Sequence, residues 1–260
     1  MDTLKLSIEE LIFCFYSEGL FEQGMSLKQA YFPDMTEEQL EFMFEISCRS
    51  LLAKDVLEYK AHQYKLKELC KPFIQALNDA DYTIKASKFS DEAEESVSYH
   101  VASQGLFAHQ LIHEQQVHHI SSLSSKEDIL EQTVQFLNIK EEQEAKGTVL
   151  TLQNDQFEQL LKGASEERLL ADEFLVKYAD HPHAKAFIQD LVFRQGKMDS
   201  VMLVEYGLDN TPDVRDLMFV IPGAEHTWFV TGSARNEFSV MAAEKEKIRN
   251  IILRDSRLLR

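Results

Sequence analysis

Glycine and proline are scarce in this sequence, which contains nine glycines and five prolines in 260 residues. Collagen-like repeats, flexible linkers and low-complexity tracts depend on these residues, so the composition excludes all three. Hydrophobic residues make up 44% of the chain and aromatic residues 10%, which is enough to bury a sizeable core. The composition therefore predicts a globular protein of one large domain or two tightly joined halves.

Cysteine is also rare, and the three cysteines at positions 14, 48 and 70 form no CxxC pair. An odd number of widely spaced cysteines does not indicate a disulfide framework, and each lies in an apolar helical stretch where a free thiol behaves as a small hydrophobe. The first ten residues lack the apolar core of a signal peptide, and the apolar run at 11–16 is far shorter than the ~20 residues that span a bilayer. We therefore expect a reducing, cytoplasmic location.

Basic residues are few, with 27 lysines and arginines against 44 aspartates and glutamates, for a net charge of -17. Phosphate backbones and anionic lipids repel such a chain unless it carries a basic stripe, and only its last turn or two is weakly basic. We therefore expect neither a nucleic acid nor a membrane as partner.

The common catalytic motifs are missing, including G-x-S-x-G, S-x-x-K, the P-loop and G-x-G-x-x-G. Five of the nine histidines lie between positions 100 and 119, but His113-Glu114 with His118 is one residue too long for HExxH. His109 and His113 have the i, i+4 spacing, yet they lie in a segment that alternates as strands, where this spacing spans about 13 Å. We expect a polar sheet face with no metal, no cofactor and no catalytic residue. Pairing of two histidines across a hairpin would be the remaining route to a metal site.

Two capping boxes mark the starts of helices, one at Ser7 with Glu10 and one at Thr36 with Gln39. A short hairpin is predicted at 56–66 and a helix at 69–77. Two helices followed by a hairpin form the outline of a winged-helix unit, but the acidic charge favours a structural role for it over DNA reading.

From residue 81 the hydrophobic period changes to that of strands, followed by a helix capped by Ser124 or Ser125 and a charged linker at 140–146. The second half repeats this plan, with three helical stretches, then strands, then a terminal helix at about 236–253. The strands are predicted at 82–86, 97–101, 106–112, 116–120, 200–206, 216–221 and 226–231. We therefore predict an α+β fold in which the halves, about 1–146 and 147–260, share one sheet and form a single body.

The loop between the first two of these strands, at 88–96, combines one phenylalanine, Phe89, with a cluster of acids. An apolar side chain rimmed by acids suits a helical partner that presents basic and apolar residues at its tip. The alternative is a solvated hairpin tip without a binding role. The sole tryptophan, Trp228, is expected in the core. The predicted partner-binding residues are Phe89, Asp91, Glu92, Glu94 and Glu95.

The order of elements resembles that of the EspG family, cytosolic chaperones of type VII (ESX) secretion. The similarity extends over nearly the full length but includes no diagnostic motif. The residues that carry it are 6–11, 36–39, 49–52, 105–109, 117–120, 216–219 and 227–230.

This resemblance implies a quasi-twofold fold with a central antiparallel sheet, flanking helices and a C-terminal helical bundle. It also implies that the chain binds the tip of a helical-hairpin secretion substrate and keeps it soluble until export. For a distant Gram-positive relative, the substrate would be a PPE-like or LXG-type protein. Of the family's binding elements, only the loop carries over, at Phe89–Glu95. An immunity protein that neutralises a secreted toxin is the main alternative function, and a metal enzyme that uses the histidines is the third.

Overall fold

A computed structural model describes residues 2–90, 93–140, 147–207, 211–233 and 235–253. The described residues form nine helices and twelve strands. The elements as far as residue 123 are β1 (Thr3–Ser7), α1 (Ile8–Ser17), α2 (Phe21–Tyr31), α3 (Glu37–Ala53), β2 (Leu57–Lys60), β3 (Gln63–Leu66), α4 (Lys71–Gln75), β4 (Ala80–Phe89), β5 (Glu94–Ala102), β6 (Gly105–Ile112) and β7 (Val117–Leu123). The others are α5 (Lys126–Phe136), β8 (Thr148–Gln153), α6 (Asn154–Ser165), α7 (Arg168–Lys177), α8 (Pro182–Phe193), β9 (Asp199–Tyr206), β10 (Pro212–Pro222), β11 (Thr227–Gly232), β12 (Glu237–Ala242) and α9 (Lys245–Leu253).

Ten of these strands form one antiparallel sheet with the order β1-β7-β6-β5-β4-β9-β10-β11-β12-β8, while β2 and β3 form a separate hairpin. The predicted α+β class with a central antiparallel sheet and flanking helices is confirmed. The chain divides into two compact units: unit 1 is Met1–Thr83 with Val97–Ser124, and unit 2 is Ile84–Ser96 with Ser125–Arg260. Strands β4 and β5 therefore contribute residues to both units.

The chain runs twice through the order of a strand, three helices, a meander of four strands and a final helix. In the first run the β2–β3 hairpin and α4 stand between the three helices and the meander. In each run the opening strand pairs with the last strand of its meander. The first run pairs β1 with β7, and the second pairs β8 with β12. The repeat that was predicted from the order of elements is therefore present in the strand pairing.

Both predicted capping boxes are present. The Glu10 N–H donates to Ser7 Oγ at 3.3 Å, and the Ser7 N–H donates to Glu10 Oε2 at 2.8 Å. The Gln39 N–H donates to Thr36 Oγ1 at 3.3 Å, and the Thr36 N–H donates to Gln39 Oε1 at 2.9 Å. Each box satisfies N–H groups that have no partner inside their own helix, so α1 and α3 begin where the sequence predicts.

The terminal helix predicted at 236–253 is wrong in its first part, because Glu237–Ala242 form β12 and the helix begins at Lys245. β12 lies between β11 and β8, and both neighbours hydrogen-bond to it. Strands β1 and β8 were not predicted, since each is short and runs directly into a helix. Sheet pairing therefore decides the structure of all three segments.

Trp228 lies in the core of unit 2 with no exposed surface, as predicted. Its Nε1–H donates to Asp190 Oδ2 at 2.8 Å, and the Ala224 N–H donates to Asp190 Oδ1 at 3.2 Å. A Cβ at Gly223 would lie 2.0 Å from Asp190 Oδ2, so the carboxylate reaches this turn only because the residue is glycine.

The three cysteines are buried in unit 1, and burial raises the pKa of each thiol: Cys14, Cys48 and Cys70. Thiols in such surroundings are weak nucleophiles, which agrees with their predicted role as small hydrophobes. Within the described residues, no helix has both the length and the apolar character that a membrane crossing needs.

Three histidines form a ladder across neighbouring strands of unit 1: His100 on β5, His109 on β6 and His118 on β7. The rings of His109 and His118 are stacked with centroids 5.2 Å apart, and His109 Nε2 lies 3.0 Å from His118 Nδ1. Strand pairing thus brings two histidines together, which was the remaining route to a metal site. Among the described residues, however, no group of three or more potential ligands is arranged to hold a metal ion.

Burial keeps the histidine ladder neutral. It lowers the pKa of His100 and of His118 to about 4, and that of His109 to about 3, where the neighbouring imidazoles add a smaller effect. Thr83 Oγ1 lies 2.9 Å from His100 Nδ1, while the buried Nε2 atoms of His100 and His118 have no hydrogen-bond partner among the residues that the structure describes. Protonating His100 or His118 would place a charge on a buried ring.

We predict that the stability of the protein falls as the pH drops below 6.5. In the unfolded chain the ladder histidines bind protons near their usual pKa, whereas in the folded chain they do so only near pH 3 to 4. Their stabilisation is therefore complete above pH 6.5 and is lost progressively below it. Between pH 7.5 and 5.5 the free energy of unfolding should fall by up to about 4 kcal/mol, measured by urea unfolding.

A variant that removes one titrating ring of the ladder, His109→Gln, should reduce this pH dependence by about a third. The matched control is His62→Asn, which removes an exposed histidine at a φ of 62°, a conformation that asparagine tolerates. An unchanged pH dependence in His109→Gln would show that the ladder is not its source.

We also keep the proposal that the chain folds as a single body. A fragment of residues 1–146 retains 84–96 and α5 but loses the rest of unit 2, including α9, which packs against α5 and whose Arg249 pairs with Glu127. The buried Ile129 and Leu130 of α5 would then be exposed. The fragment should aggregate or unfold without cooperativity in gel filtration and thermal circular dichroism. A stable monomer with a cooperative transition would instead indicate separate domains.

Candidate functional site

The segment predicted to bind a partner is a tight hairpin of unit 2 rather than a long loop. β4 extends to Phe89 and β5 begins at Glu94. Between them the Ser90 N–H donates to the Ala93 carbonyl oxygen at 3.0 Å, and the Ala93 N–H donates to Ser90 Oγ at 3.2 Å. The strands therefore continue almost to the tip. The other two predicted residues, Asp91 and Glu92, lie outside the described residues.

The backbone of Phe89 is held on both sides by one ion pair. Its N–H donates to Asp199 Oδ1 at 2.9 Å, and its carbonyl oxygen accepts from Arg194 Nη2 at 3.1 Å. Arg194 Nη2 also lies 2.8 Å from Asp199 Oδ1. The Phe89 side chain is half-buried, so the phenylalanine is the anchored end of a strand and not a fully exposed loop residue.

Asp199 is a buried charge whose position depends on these donors. Its side chain has no exposed surface, and burial raises the pKa of its carboxyl group. The Phe89 N–H and the guanidinium of Arg194 act in the opposite direction and lower that pKa. Arg194 is fixed in turn by donating its Nε–H to the Lys197 carbonyl oxygen at 3.0 Å. The end of β4, the end of α8 and the start of β9 thus share one polar network.

The acids beside this network face solvent. Glu94 and Glu95 are both exposed at the start of β5, and Glu94 makes an ion pair of 3.5 Å with Lys85. An exposed pair at this distance contributes little to stability, so these carboxylates remain accessible to a basic partner. The structure therefore leaves the predicted acidic rim available at Glu94 and Glu95.

An aromatic side chain that sequence reasoning missed lies next to Arg194. Phe193 ends α8 and is 88% exposed, more than any other large hydrophobic residue described. The buried face of α8 includes Leu191 and Val192, and Phe193 falls off this helical stripe. Extending the predicted helix beyond residue 190 would have shown that Phe193 lies off its apolar face. We use the name hairpin surface for four residues that lie in or next to the chain segments of the polar network in sequence: Phe89, Glu94, Glu95 and Phe193.

The hairpin surface includes two aromatic side chains, one half-buried and one exposed, and two exposed carboxylates. The Arg194–Asp199 ion pair holds the backbone of one of these residues, Phe89. An exposed aromatic ring and exposed carboxylates are side chains that can contact a partner protein.

We predict that Asp199→Ala destabilises the protein by about 3 kcal/mol, because it leaves the mostly buried Arg194 and the Phe89 N–H without their acceptor. Asp199→Asn, which keeps an acceptor oxygen, should cost less. Urea unfolding measures both effects, and hydrogen exchange should show the Phe89 amide losing protection. The control is Asp213→Ala, whose exposed pair with Arg215 should contribute less than about 1 kcal/mol. Equal losses in Asp199→Ala and in the control would contradict the network's role.

The fold is shared with a solved structure of very different sequence. The chain is similar to the Mycobacterium tuberculosis type VII secretion system chaperone EspG5, solved in complex with a PE25–PPE41 dimer. The TM-score is 0.62 at 8% sequence identity, and the match covers 96% of this chain and 94% of EspG5. At this identity the likeness establishes a common fold over nearly the whole length.

A comparison of sequences finds a relative of much higher identity. The chain is 51% identical over 253 residues to a Bacillus subtilis (strain 168) protein described as "Uncharacterized protein YfjC", which covers 97% of this chain and 99% of the relative. The family model described as "Uncharacterised protein YfjC" matches residues 3–252. The chain therefore belongs to the YfjC family.

Proposed function

We propose that this protein is a non-enzymatic cytoplasmic chaperone that binds the helical tip of a type VII secretion substrate and keeps it soluble until export. The observation that carries this proposal is the fold shared with EspG5, since the match extends over 96% of the chain and includes both repeats of the element order. EspG5 was solved with a PE25–PPE41 dimer bound. For the present chain, the corresponding partner is a helical-hairpin substrate of PPE-like or LXG type.

The hairpin surface supplies the contacts for such a partner. Phe193 offers a fully accessible aromatic ring at no cost to the core, and large aromatic residues contribute most to binding at interfaces. Glu94 and Glu95 favour a partner tip that carries lysine or arginine. The polar network around Asp199 holds the backbone of Phe89, so little backbone entropy is lost at this residue on binding.

Exposed residues of helix α7 in unit 2 are further candidates for contact with the partner. Leu169 and Val176, one heptad apart on α7, are 80% and 78% exposed. Residues seven apart lie on the same face of a helix, and Asp172 and Glu173 lie between them. The same combination of apolar and acidic side chains therefore occurs on α7 and on the hairpin surface.

We predict that Phe193→Ala weakens binding of the co-purified substrate by about 2 kcal/mol while the free energy of unfolding stays unchanged. Phe89→Ala should weaken binding to a similar degree but also destabilise the fold, because this side chain is half-buried. Calorimetry with the co-expressed substrate measures affinity, and urea unfolding measures stability. The control is Leu69→Ala, which truncates a residue of unit 1 that is 71% exposed.

Reversing the acids Glu94 and Glu95 to lysine, alone or together with Asp91 and Glu92, should mainly slow association. The effect should shrink as rising salt shortens a Debye length of about 8 Å at physiological ionic strength. Glu131→Lys, at an exposed position on α5, is the matched charge control. Stopped-flow measurements at two salt concentrations give the association rate of each variant and its dependence on salt.

The same experiments can contradict the proposal. If Phe193→Ala, Phe89→Ala and the charge reversals all leave the affinity unchanged, the hairpin surface does not bind the partner. Co-purification with the catalytic domain of a toxin, and not with a helical export protein, would favour an immunity protein instead.

A further inference from the structure

A second apolar surface lies in unit 1, along helix α3. Phe42 and Ile46 are spaced i, i+4 on this helix and are 61% and 48% exposed, whereas Met43 beside them is buried. Together with the start of α1 and the α2–α3 connection they enclose a groove of about 680 Å³. We call this the α3 groove. Its apolar lining residues are Phe32, Pro33, Met35, Phe42, Met43 and Ile46.

The floor and one wall of the α3 groove are fixed by hydrogen bonds. Glu10 is 4% exposed and accepts from Ser50 Oγ at 2.7 Å and from Lys54 Nζ at 2.6 Å, in addition to its capping bond. Lys28 Nζ donates to the Met35 carbonyl oxygen at 2.8 Å and holds the α2–α3 connection. The groove is therefore formed before any partner binds, which lowers the entropic cost of binding.

Carboxylates line the α3 groove, and one of them, that of Glu10, is paired with Lys54. Glu9, Glu10 and Asp34 line it, and no lysine or arginine does so among the described residues. The exposed acids Glu38, Glu41 and Glu45 lie on α3 itself, and Arg49, the nearest base on the helix, lies 3.8 Å from Glu45. A complementary partner must therefore combine apolar residues with lysine or arginine.

The occupant's backbone must satisfy its own hydrogen bonds. Apart from Ser7, the last residue of β1, the residues that line the α3 groove belong to α1, to α3 and to the α2–α3 connection, so along most of the groove no strand runs with which an extended peptide could pair. A helix meets this requirement, because its backbone groups are paired internally. Apolar residues at i, i+3 or i+4 and i+7 on that helix would face Phe42 and Ile46.

We propose that the α3 groove binds a basic amphipathic helix of a partner protein. The site consists of residues separate from the hairpin surface and does not depend on the proposed chaperone function. The combination of an exposed apolar i, i+4 pair, a preformed groove and an acidic lining specifies the partner's chemistry.

The test uses a phage-displayed library of 16-residue helical peptides with random apolar and charged positions, selected on the full-length protein. The enriched peptides are expected to carry apolar residues at helical spacing, flanked by lysine or arginine. Fluorescence anisotropy then measures the affinity of the best labelled peptide. Phe42→Ala, Ile46→Ala and Asp34→Lys should each weaken its binding at least tenfold. The controls Leu69→Ala and Phe193→Ala should bind as the wild type does.

The proposal would be overturned if no peptide were enriched, or if the enriched peptides were acidic or extended. It would also be overturned if Phe42→Ala bound the peptide as the wild type does. A dimer that dissociates in Phe42→Ala, detected by analytical ultracentrifugation, would assign the groove to a second copy of this chain and would overturn it too. Circular dichroism confirms that each variant is folded. Because Phe193→Ala tests the hairpin surface and Phe42→Ala tests the α3 groove, failure of one proposal can be distinguished from failure of the other.

Discussion

The position of the hairpin surface depends on one buried carboxylate, that of Asp199. It begins β9 and accepts hydrogen bonds from Phe89 at the end of β4 and from Arg194 just after α8. Burying an ionised carboxylate is costly unless its donors are present, so Asp199 favours the arrangement in which these three chain segments lie together. The backbone of Phe89 at the end of β4 is consequently held in place.

Two sets of residues in this protein combine exposed apolar side chains with acids. On the hairpin surface these are Phe193 with Glu94 and Glu95, and in the α3 groove Phe42 and Ile46 with Glu9 and Asp34. Part of the net charge of -17 therefore lies at each candidate interface. Partners with basic helical surfaces would be attracted to both, while the hydrophobic contacts would select among them.

Local sequence signals predicted those features that depend on neighbours along the chain. The Ser7–Glu10 and Thr36–Gln39 boxes fix helix starts through contacts three residues apart, and the alternation in 97–101 marks a strand with one buried face. β12 was mistaken for the start of a helix because its strand character comes from pairing with β8, more than 80 residues earlier. Phe193 was missed because the predicted helix ended too soon.

The sequence by itself determined the α+β class, the repeated order of elements, the helix caps and the acidic, motif-poor character of the chain, since each depends on composition or on short-range spacing. Only the tertiary structure decided the rest. It placed His100, His109 and His118 in one ladder across neighbouring strands, joined Phe89 to Asp199 across 110 residues, and left Phe193 and Phe42 uncovered. These outcomes depend on which strands and helices pack together, and long-range packing leaves no periodic signal in the residues that it brings into contact.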